Sequence, residues 1–407
     1  MNEYKRLRLT LLPIGLFVGF AISLLIPSTA VLQKYLDILG VAVYIAIASL
    51  VLLIGYKYVF TRFASMVTDK QVLWLTAATF LFLLAVFSVG YPLANSGVLG
   101  KGSDRDEALN SATSELLKGR YPYYPKTYLG NPISPLPGSL VLAVPFVLLG
   151  NSAYQNFFWL FAFLFSMNSF LKDRRLALLL LWITLALSPV VLHEVVTGGD
   201  LLANSIFVLL FVIWLVSAIS QPRFSIWGKS LLAVLLGVGF ASRANFILIL
   251  PLVFSALVQS AGWKSAAKYS AITCLTLGLI TVPFYLYDPQ GFSPLHTANK
   301  LAQFQTVLPF AEIIVPLITG VVAATLSLQH ANSNLHVLLR NCAIVLALPV
   351  LSGTMLQSVK AANLDLGFTG FGLSFLFFGT VAFWPMLLGI TQVLPPNTGS
   401  DCVKTPY

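Results

Sequence analysis

Long runs of apolar residues, separated by short polar or basic segments, occupy most of this chain. A helix that spans a bilayer needs about 20 apolar residues. Two shorter apolar runs, 230–242 and 244–258, flank the sequence Ser-Arg-Ala-Asn and predict a tight hairpin of two thin spans. The pattern therefore predicts an all-α polytopic membrane protein with about twelve transmembrane helices. The longer candidates are 9–27, 37–57, 72–92, 153–171, 176–192, 201–219, 269–286, 310–328, 342–359 and 368–390.

The apolar run 137–150 is too short for an ordinary span and contains Pro145. Its length favours a re-entrant or interfacial helix. If it does not cross, fifteen of the 24 Lys and Arg residues fall on one side of the bilayer. Because basic residues are retained in the cytoplasm, that side is cytoplasmic and both termini lie there.

One multi-pass domain, 1–394, is therefore predicted, followed by a short cytoplasmic tail, 395–407. Residues 93–152 form its long external loop, which holds the amphipathic and re-entrant helices. Ser28-Thr29-Ala30 resembles a signal-peptidase site, but the apolar run before it is long for a signal peptide and favours a first membrane helix.

Composition supports this class and excludes others. The chain is 57% hydrophobic and 9% charged, whereas a soluble domain carries about 25% charged residues. The net charge is +10, but its basic residues flank apolar spans, so they indicate topology and no nucleic-acid partner. The spacing of the three cysteines suits neither a disulfide framework nor a zinc site.

The external loop contains an acidic cluster formed by Asp104, Asp106, Glu107 and Glu115. Residues 104–118 predict a short amphipathic helix that lies flat on the outer leaflet. Asp104 and Glu107 have the spacing of a capping box. The carboxylates are then helix caps and favourable first-turn charges. Alternatively Asp104 and Asp106 are general bases, because apolar surroundings raise a carboxyl pKa.

Tyrosines and prolines follow the acidic cluster. Tyr121, Tyr123 and Tyr124 predict either an aromatic belt at the membrane surface or a wall on which a sugar stacks. Another acidic group, His193-Glu194 with Asp200, lies outside the membrane on the same topology. Asp200 opens a predicted helix, where it is either an N-cap or a substrate ligand.

These motifs together resemble the GT-C glycosyltransferases, and more narrowly their polyprenyl-phosphate-sugar-dependent, mannosyltransferase-like branch. The likeness covers roughly 72–260 and includes Thr197-Gly198-Gly199-Asp200 and Ser242-Arg243-Ala244-Asn245. Two extra spans, 9–27 and 37–57, depart from the pattern of that family. The other residues that resemble the family are Asp104, Asp106, Glu107, Ala108, Ala112, Leu116, Leu117, Gly119, Pro122, Tyr123, Pro135 and Pro137.

The resemblance implies that an enzyme of the cell (inner) membrane moves a sugar from a polyprenyl-phosphate donor to a glycan, lipid or protein acceptor. The reaction inverts the anomeric carbon on the extracytoplasmic face, and Asp104 or Asp106 is the base. The implied ligands of the donor phosphate are Arg243, Lys300 and His296. The candidate substrate contacts are Glu107, Tyr121, Tyr123, Tyr124, His193, Glu194 and Asp200. A divalent ion, Mg or Mn, could bridge Asp104, Asp106 and Glu194.

Two other functions remain open at this point. A twelve-span secondary transporter would place ionisable residues near the middle of the bilayer and repeat its two halves. Here the mid-span positions are nearly free of charge and no repeat is evident. A non-catalytic subunit of an envelope assembly would tolerate substitutions in the acidic loop.

Overall fold

The computed structural model describes residues 2–96, 98, 103–297 and 299–388, without the side chains of 2–13, 61, 296, 297 and 299. This part of the chain is helical, with one isolated bridge and no strand, which confirms the all-α prediction. Its helices are α1 Asn2–Leu25, α2 Thr29–Gly55, α3 Thr61–Met66, α4 Asp69–Asn95, α5 Arg105–Leu117, α6 Pro137–Leu148, α7 Gln155–Leu171, α8 Arg174–Leu187, α9 Pro189–Thr197, α10 Leu201–Ile219, α11 Ile226–Phe240, α12 Leu250–Tyr287, α13 Asn299–Ala302, α14 Ala311–Ser327, α15 Leu335–Ala361 and α16 Leu373–Leu387.

Several helices have the length and composition of membrane spans. Among the described residues there are five such stretches, or up to seven if each of two bent helix pairs is one span. The bent pairs are α6 with Ser152–Leu171, at 101°, and α8 with α9, at 82°. These helices fit a helical membrane protein, and about twelve spans stays a prediction. The five stretches are Ile14–Phe60, Asp69–Asn95, Leu201–Ile219, Ala244–Tyr287 and Leu335–Ala361.

The first two helices form an antiparallel hairpin. The rings of Phe17 and Tyr56 are 5.7 Å apart, and the Tyr44 hydroxyl lies 3.4 Å from the carbonyl oxygen of Leu25. The helix α2 breaks at Asp37, whose φ is 61°. The first turns of α2 therefore cap the hairpin, and the segment after Asp37 packs back along α1.

The predicted single helix at 176–192 is wrong, because α8 ends at Leu187 and α9 begins at Pro189. Proline lacks an amide hydrogen and keeps the preceding residue out of the helical region. Ser188 accordingly has φ −123° and ψ 81°. The resulting bend turns α9, with His193 and Glu194, away from the axis of α8.

The acidic helix α5 packs its apolar face on α6. Leu109 and Ala112 of α5 are fully buried, in a small core with Leu140 and Ala143 of α6. The apolar face of α5 is therefore covered by protein, and its position at the outer leaflet stays a prediction.

Polar contacts gather the helix ends into two groups. The first group is called the site end. There the Gln33 side-chain amide donates to the carbonyl oxygen of Leu364 at 2.7 Å, and the Tyr121 hydroxyl donates to the carbonyl oxygen of Asp288 at 3.3 Å. Arg243 also lies at the site end. It forms an ion pair with Asp200, and Arg105 of α5 forms one with Glu194 of α9.

The second group, called the opposite end, holds the KDRR turn, 172–175. Arg175 donates to the carbonyl oxygen of Ala64 at 2.6 Å. At the same end, the Gln259 amide donates to the carbonyl oxygen of Gln329 at 2.9 Å. Loops far apart in sequence therefore meet at each end of the bundle.

Candidate functional site

A cavity of about 790 Å³ opens at the site end. Charged residues of four separate segments line it: Lys34 and Asp37 from α2, Asp104 and Arg105 at the start of α5, Glu194 from α9, and Asp365 from the loop after α15. The loop between α15 and α16 closes one side of this cavity with residues 363–365, 367 and 370. Four segments of the chain therefore meet around one polar volume.

Asp104 is a partly exposed carboxylate on the cavity wall. It occupies the N-cap position of α5, but its side chain makes no capping hydrogen bond, so the predicted capping box is wrong. Instead its Oδ2 accepts from the Thr127 hydroxyl at 2.5 Å and from the Asn131 amide at 2.8 Å. Both donors belong to the loop after α5, and they orient the carboxylate without neutralising it.

Asp106 differs from Asp104, because its side chain is buried. Its Oδ2 accepts a hydrogen bond from the Tyr91 hydroxyl at 2.6 Å, and Tyr91 in turn accepts from the Asn151 amide at 2.8 Å. Loss of hydration raises the pKa of Asp106, against the opposing effect of the Tyr91 hydrogen bond. Asp106 thus joins α5 to α4 and to the start of α7.

Glu107 faces the loop that follows α5, where its Oε2 accepts from the Tyr128 amide at 2.8 Å. Glu115 lies on an exposed part of the same helix and forms ion pairs with Lys118 and Arg120. It does not line the cavity. The four predicted carboxylates of the acidic loop therefore have four different environments.

Two arginines meet two buried carboxylates around the start of α10. Arg105 Nη1 lies 2.6 Å from Glu194 Oε1, and Arg243 Nη2 lies 2.6 Å from Asp200 Oδ1. Glu194 is 1% exposed and Asp200 is 0% exposed, so these carboxylates hold the arginines in place. Both carboxylates were predicted to be substrate contacts. Each one is paired with an arginine, and Glu194 also lines the cavity.

Neighbouring polar groups complete the Asp200 pair. The Asn204 amide donates to Asp200 Oδ2 at 2.8 Å, and the Ser139 hydroxyl donates to Asn204 Oδ1 at 2.9 Å. Arg243 Nη1 donates to the Ser134 hydroxyl at 3.3 Å. The pair is therefore linked by hydrogen bonds to α6 and to the segment that precedes α6. A buried ion pair loses its hydration, and these hydrogen bonds replace part of it.

Close backbone approach explains two glycines near these pairs. A side chain at Gly138 would collide with the carbonyl groups of Val238 and Ala241, and the Gly138 amide donates to Ala241 at 2.7 Å. A side chain at Gly199 would collide with the carboxylate of Glu194. The close approach at Gly138 packs the turn before Arg243 against α6. The close approach at Gly199 fixes the Glu194 carboxylate, which pairs with Arg105.

Lys300 is a third cation near this group. Although the residue as a whole is exposed, its ammonium group is close enough to Arg105 and Arg243 for their charges to act on it. Loss of hydration, together with these two cations, lowers the pKa of Lys300 from 10.5 to about 8, and Asp104 opposes the shift. The side chain of His296 lies outside the described residues.

The predicted tyrosines divide between the interior and the surface. Tyr123 is 4% exposed and packs edge-on against Phe292 at 5.0 Å. Tyr124 is 61% exposed, and its ring lies 4.7 Å from that of Tyr121. Tyr121 and Tyr124 can therefore offer a face to a ligand, and Tyr123 supports them from behind.

Sequence reasoning missed several residues of the site, above all Arg105, Lys34, Gln33 and Phe371. The guanidinium carbon of Arg105 lies 5.4 Å from the centre of the Phe371 ring, and the Lys300 ammonium lies 4.8 Å from it. Arg105 lies between Asp104 and Asp106, and this position in the acidic motif was the sequence signal for a role in the site. Phe371 is one phenylalanine among 30, and its local sequence carries no sign of this role.

Within the described residues, no three acidic, histidine or cysteine side chains are grouped closely enough to hold a metal ion. The three carboxylates offered as ligands are each engaged elsewhere: Asp104 by Thr127, Asp106 by Tyr91 and Glu194 by Arg105. The three side chains are therefore not gathered around one point, and the bridging divalent ion stays a prediction.

No protein-family model, curated protein or solved structure matches this chain.

Proposed function

We propose that this protein is a membrane glycosyltransferase that moves a sugar from a polyprenyl phosphate to a hydroxyl acceptor. The observation that supports it best is the meeting of the partly exposed Asp104 carboxylate with Arg105, Lys300 and Arg243 at the site end. A carboxylate suits the removal of a proton from the acceptor, and cations suit the stabilisation of a departing phosphate.

Asp104 is the base in this proposal. The acceptor oxygen attacks the anomeric carbon while its proton passes to Asp104. The bond between the anomeric carbon and the phosphate oxygen breaks, and the phosphate keeps the electron pair. Asp104 suits this role because it lines the cavity and accepts hydrogen bonds only from neutral donors. General-base assistance of this kind is worth about 10²–10⁴ in rate.

Asp106 has a supporting role. It is buried and bonded to Tyr91, and it is not among the residues that line the cavity. The hydrogen bond to Tyr91 fixes α5 against α4, and so fixes the direction in which Asp104 and Arg105 point. The proposal therefore assigns the base to Asp104 and a structural role to Asp106.

The active site faces away from the cytoplasm in this proposal. The opposite end of the bundle holds Arg62, Arg175 and Lys264 among its basic residues, and retention of basic residues in the cytoplasm places that end inside. Successive long helices run from one end of the bundle to the other, whereas α6 begins and ends near the site end. This order of helices supports twelve spans with α6 as a re-entrant helix. The enzyme then acts on the outer face of the cell membrane.

The decisive experiment measures transfer of radiolabelled sugar from a polyprenyl-phosphate donor by the full chain in proteoliposomes. Asp104→Asn should abolish transfer and leave thermal stability unchanged. Glu115→Gln is the matched control, because Glu115 lies on the same helix in an exposed ion pair. Full transfer by the Asp104→Asn protein would exclude the base assigned here.

A separate experiment tests the side of the membrane. A cysteine at Tyr124, in a Cys402→Ser background, should react with an impermeant thiol reagent added outside intact cells. Labelling only after the membrane is opened would place the site end in the cytoplasm and contradict the proposal.

A further inference from the structure

The ring of Phe371 holds two cations that are distant from each other in sequence. Arg105 lies 5.4 Å from the ring centre and Lys300 lies 4.8 Å from it. An aromatic face attracts cations through the negative charge of its π system, and one ring that carries two of them offsets part of their mutual repulsion.

Phe371 is itself firmly placed. It ends the 3-10 turn Gly367–Phe371, in which the Thr369 hydroxyl lies 2.8 Å from that of Thr29 and accepts from the Ala30 amide at 3.0 Å. The side chain of Gln33 bonds to the backbone of the loop just before this turn. The ring is therefore fixed to the start of α2.

The charges of the three cations are not equally available. Arg243 is paired through one nitrogen with both oxygens of Asp200. Arg105 gives Nη1 to Glu194, and the remaining hydrogens of its guanidinium have no carboxylate partner in the described part of the chain. Lys300 likewise has no carboxylate within ion-pair distance there. Arg105 and Lys300 thus keep N–H groups that no carboxylate of the described residues engages, although Glu194 offsets part of the charge of Arg105.

We propose that Phe371 is a positioning residue that holds Arg105 and Lys300 together as a two-cation subsite for the departing phosphate. This inference rests on the proposed function. A sugar-phosphate diester carries one negative charge, and the phosphate monoester left after the sugar departs carries two. Two cations therefore interact more strongly with the leaving group than with the donor, and such an interaction raises kcat rather than lowering KM.

The test compares Phe371→Leu and Phe371→Trp in the full-length protein. The leucine variant removes the π face, so kcat should fall about 5- to 30-fold with KM nearly unchanged. The tryptophan variant keeps the π face and should retain kcat. Phe224→Leu is the control for loss of a ring, because Phe224 is 46% exposed in the loop between α10 and α11, at the opposite end.

A pH profile separates positioning from simple loss of packing. The groups that face Lys300 are Arg105 on α5, Arg243 beside α11 and Asp104 at the start of α5. Without the ring, the two cations repel more strongly, so the alkaline limb of kcat/KM should move to lower pH in Phe371→Leu. Phe371→Trp should restore the wild-type limb. A leucine variant that loses thermal stability but keeps both kcat and the limb would contradict the inference.

Binding of farnesyl phosphate, with farnesol as the uncharged probe, distinguishes failure of this inference from failure of the proposed function. Farnesyl phosphate should raise the thermal midpoint of the wild type more than farnesol does, and this difference should shrink in Phe371→Leu. If it shrinks but the wild type transfers no sugar, the subsite stands and the glycosyltransferase proposal fails. If the wild type transfers sugar and Phe371→Leu matches it in kcat and in farnesyl phosphate binding, the inference fails.

Discussion

Tyr91 and Asp106 are joined by a 2.6 Å hydrogen bond between the phenol and a buried carboxyl oxygen. The bond connects α4 to the helix that carries the acidic motif. One carboxyl group of that motif is therefore part of the scaffold, and Asp104, two residues earlier, is oriented toward the cavity.

Asp104→Asn and Asp106→Asn should consequently behave differently. An asparagine at 106 can still accept from Tyr91 and removes a charge whose burial is unfavourable, because burial raises the pKa of Asp106. We expect that variant to keep its fold and most of its activity. Asp104→Asn should lose about 10²–10⁴ in rate. Parallel transfer assays and melting curves decide this, and equal losses in both variants would contradict the assignment.

Tyr91→Phe should destabilise the protein by about 1–3 kcal/mol, because it leaves a buried carboxyl without its donor. The Tyr91 hydrogen bond lowers the pKa of Asp106, so it stabilises the charged form. The cost should therefore be greatest at pH values above the raised pKa of Asp106 and shrink as the carboxyl is protonated in acid. Thermal unfolding across pH measures it. Tyr58→Phe, at an exposed ring, is the control. A cost that is independent of pH would show that Tyr91 acts through packing alone.

Arg243→Gln should destabilise the protein by about 3–5 kcal/mol, since it leaves the fully buried Asp200 carboxylate without a partner. The double variant Asp200→Asn with Arg243→Gln should regain most of that stability, because no uncompensated charge remains. Unfolding of the single and double variants in denaturant measures the difference. Additive losses in the double variant would mean that the two side chains are not coupled.

Gly199→Ala should displace the Glu194 carboxylate and, through it, Arg105. Overpacking of this kind costs about 1–3 kcal/mol, and we expect transfer activity to fall further than stability alone explains. Gly278→Ala is the control, because a side chain there meets no neighbouring atom within 4 Å. Normal activity in Gly199→Ala would show that the position of Glu194 has no effect on the site.

Lys300→Arg should extend activity into alkaline solution. The pKa of Lys300 is lowered to about 8, so the wild-type ammonium loses its charge as the pH rises through that value and kcat/KM should fall. Arginine keeps its charge throughout the alkaline range, so the alkaline fall in kcat/KM should disappear in this variant. Lys126→Arg, at an exposed lysine, is the control. An unchanged limb in Lys300→Arg would assign it to another group.

The sequence predicted membrane helices better than it predicted the site. Residues 201–219 were predicted as one helix, and α10 has the same bounds, because an uninterrupted apolar run leaves the backbone little alternative to a helix in lipid. At 176–192 the apolar run hid a break, since its hydrophobicity outweighed the signal of Pro189.

Site residues were harder to predict because their partners lie far away in the chain. Arg105 and Glu194 are 89 positions apart, and hydrophobic periodicity carries no information on such pairs. Asp104 and Arg243 were chosen as candidates because charge is rare in this chain. Phe371 was missed because an aromatic residue next to an apolar span is ordinary.

The bonds from Gln33 to the backbone at Leu364 and Leu366 have a consequence for biogenesis. Their two sides are separated by more than 330 positions, so a ribosome has made nearly the whole chain before they can form. The first hairpin must wait in the bilayer with its polar tip unmatched until the last helices insert. The contact between α2 and the loop before the 3-10 turn Gly367–Phe371 would therefore complete the site end only late in synthesis.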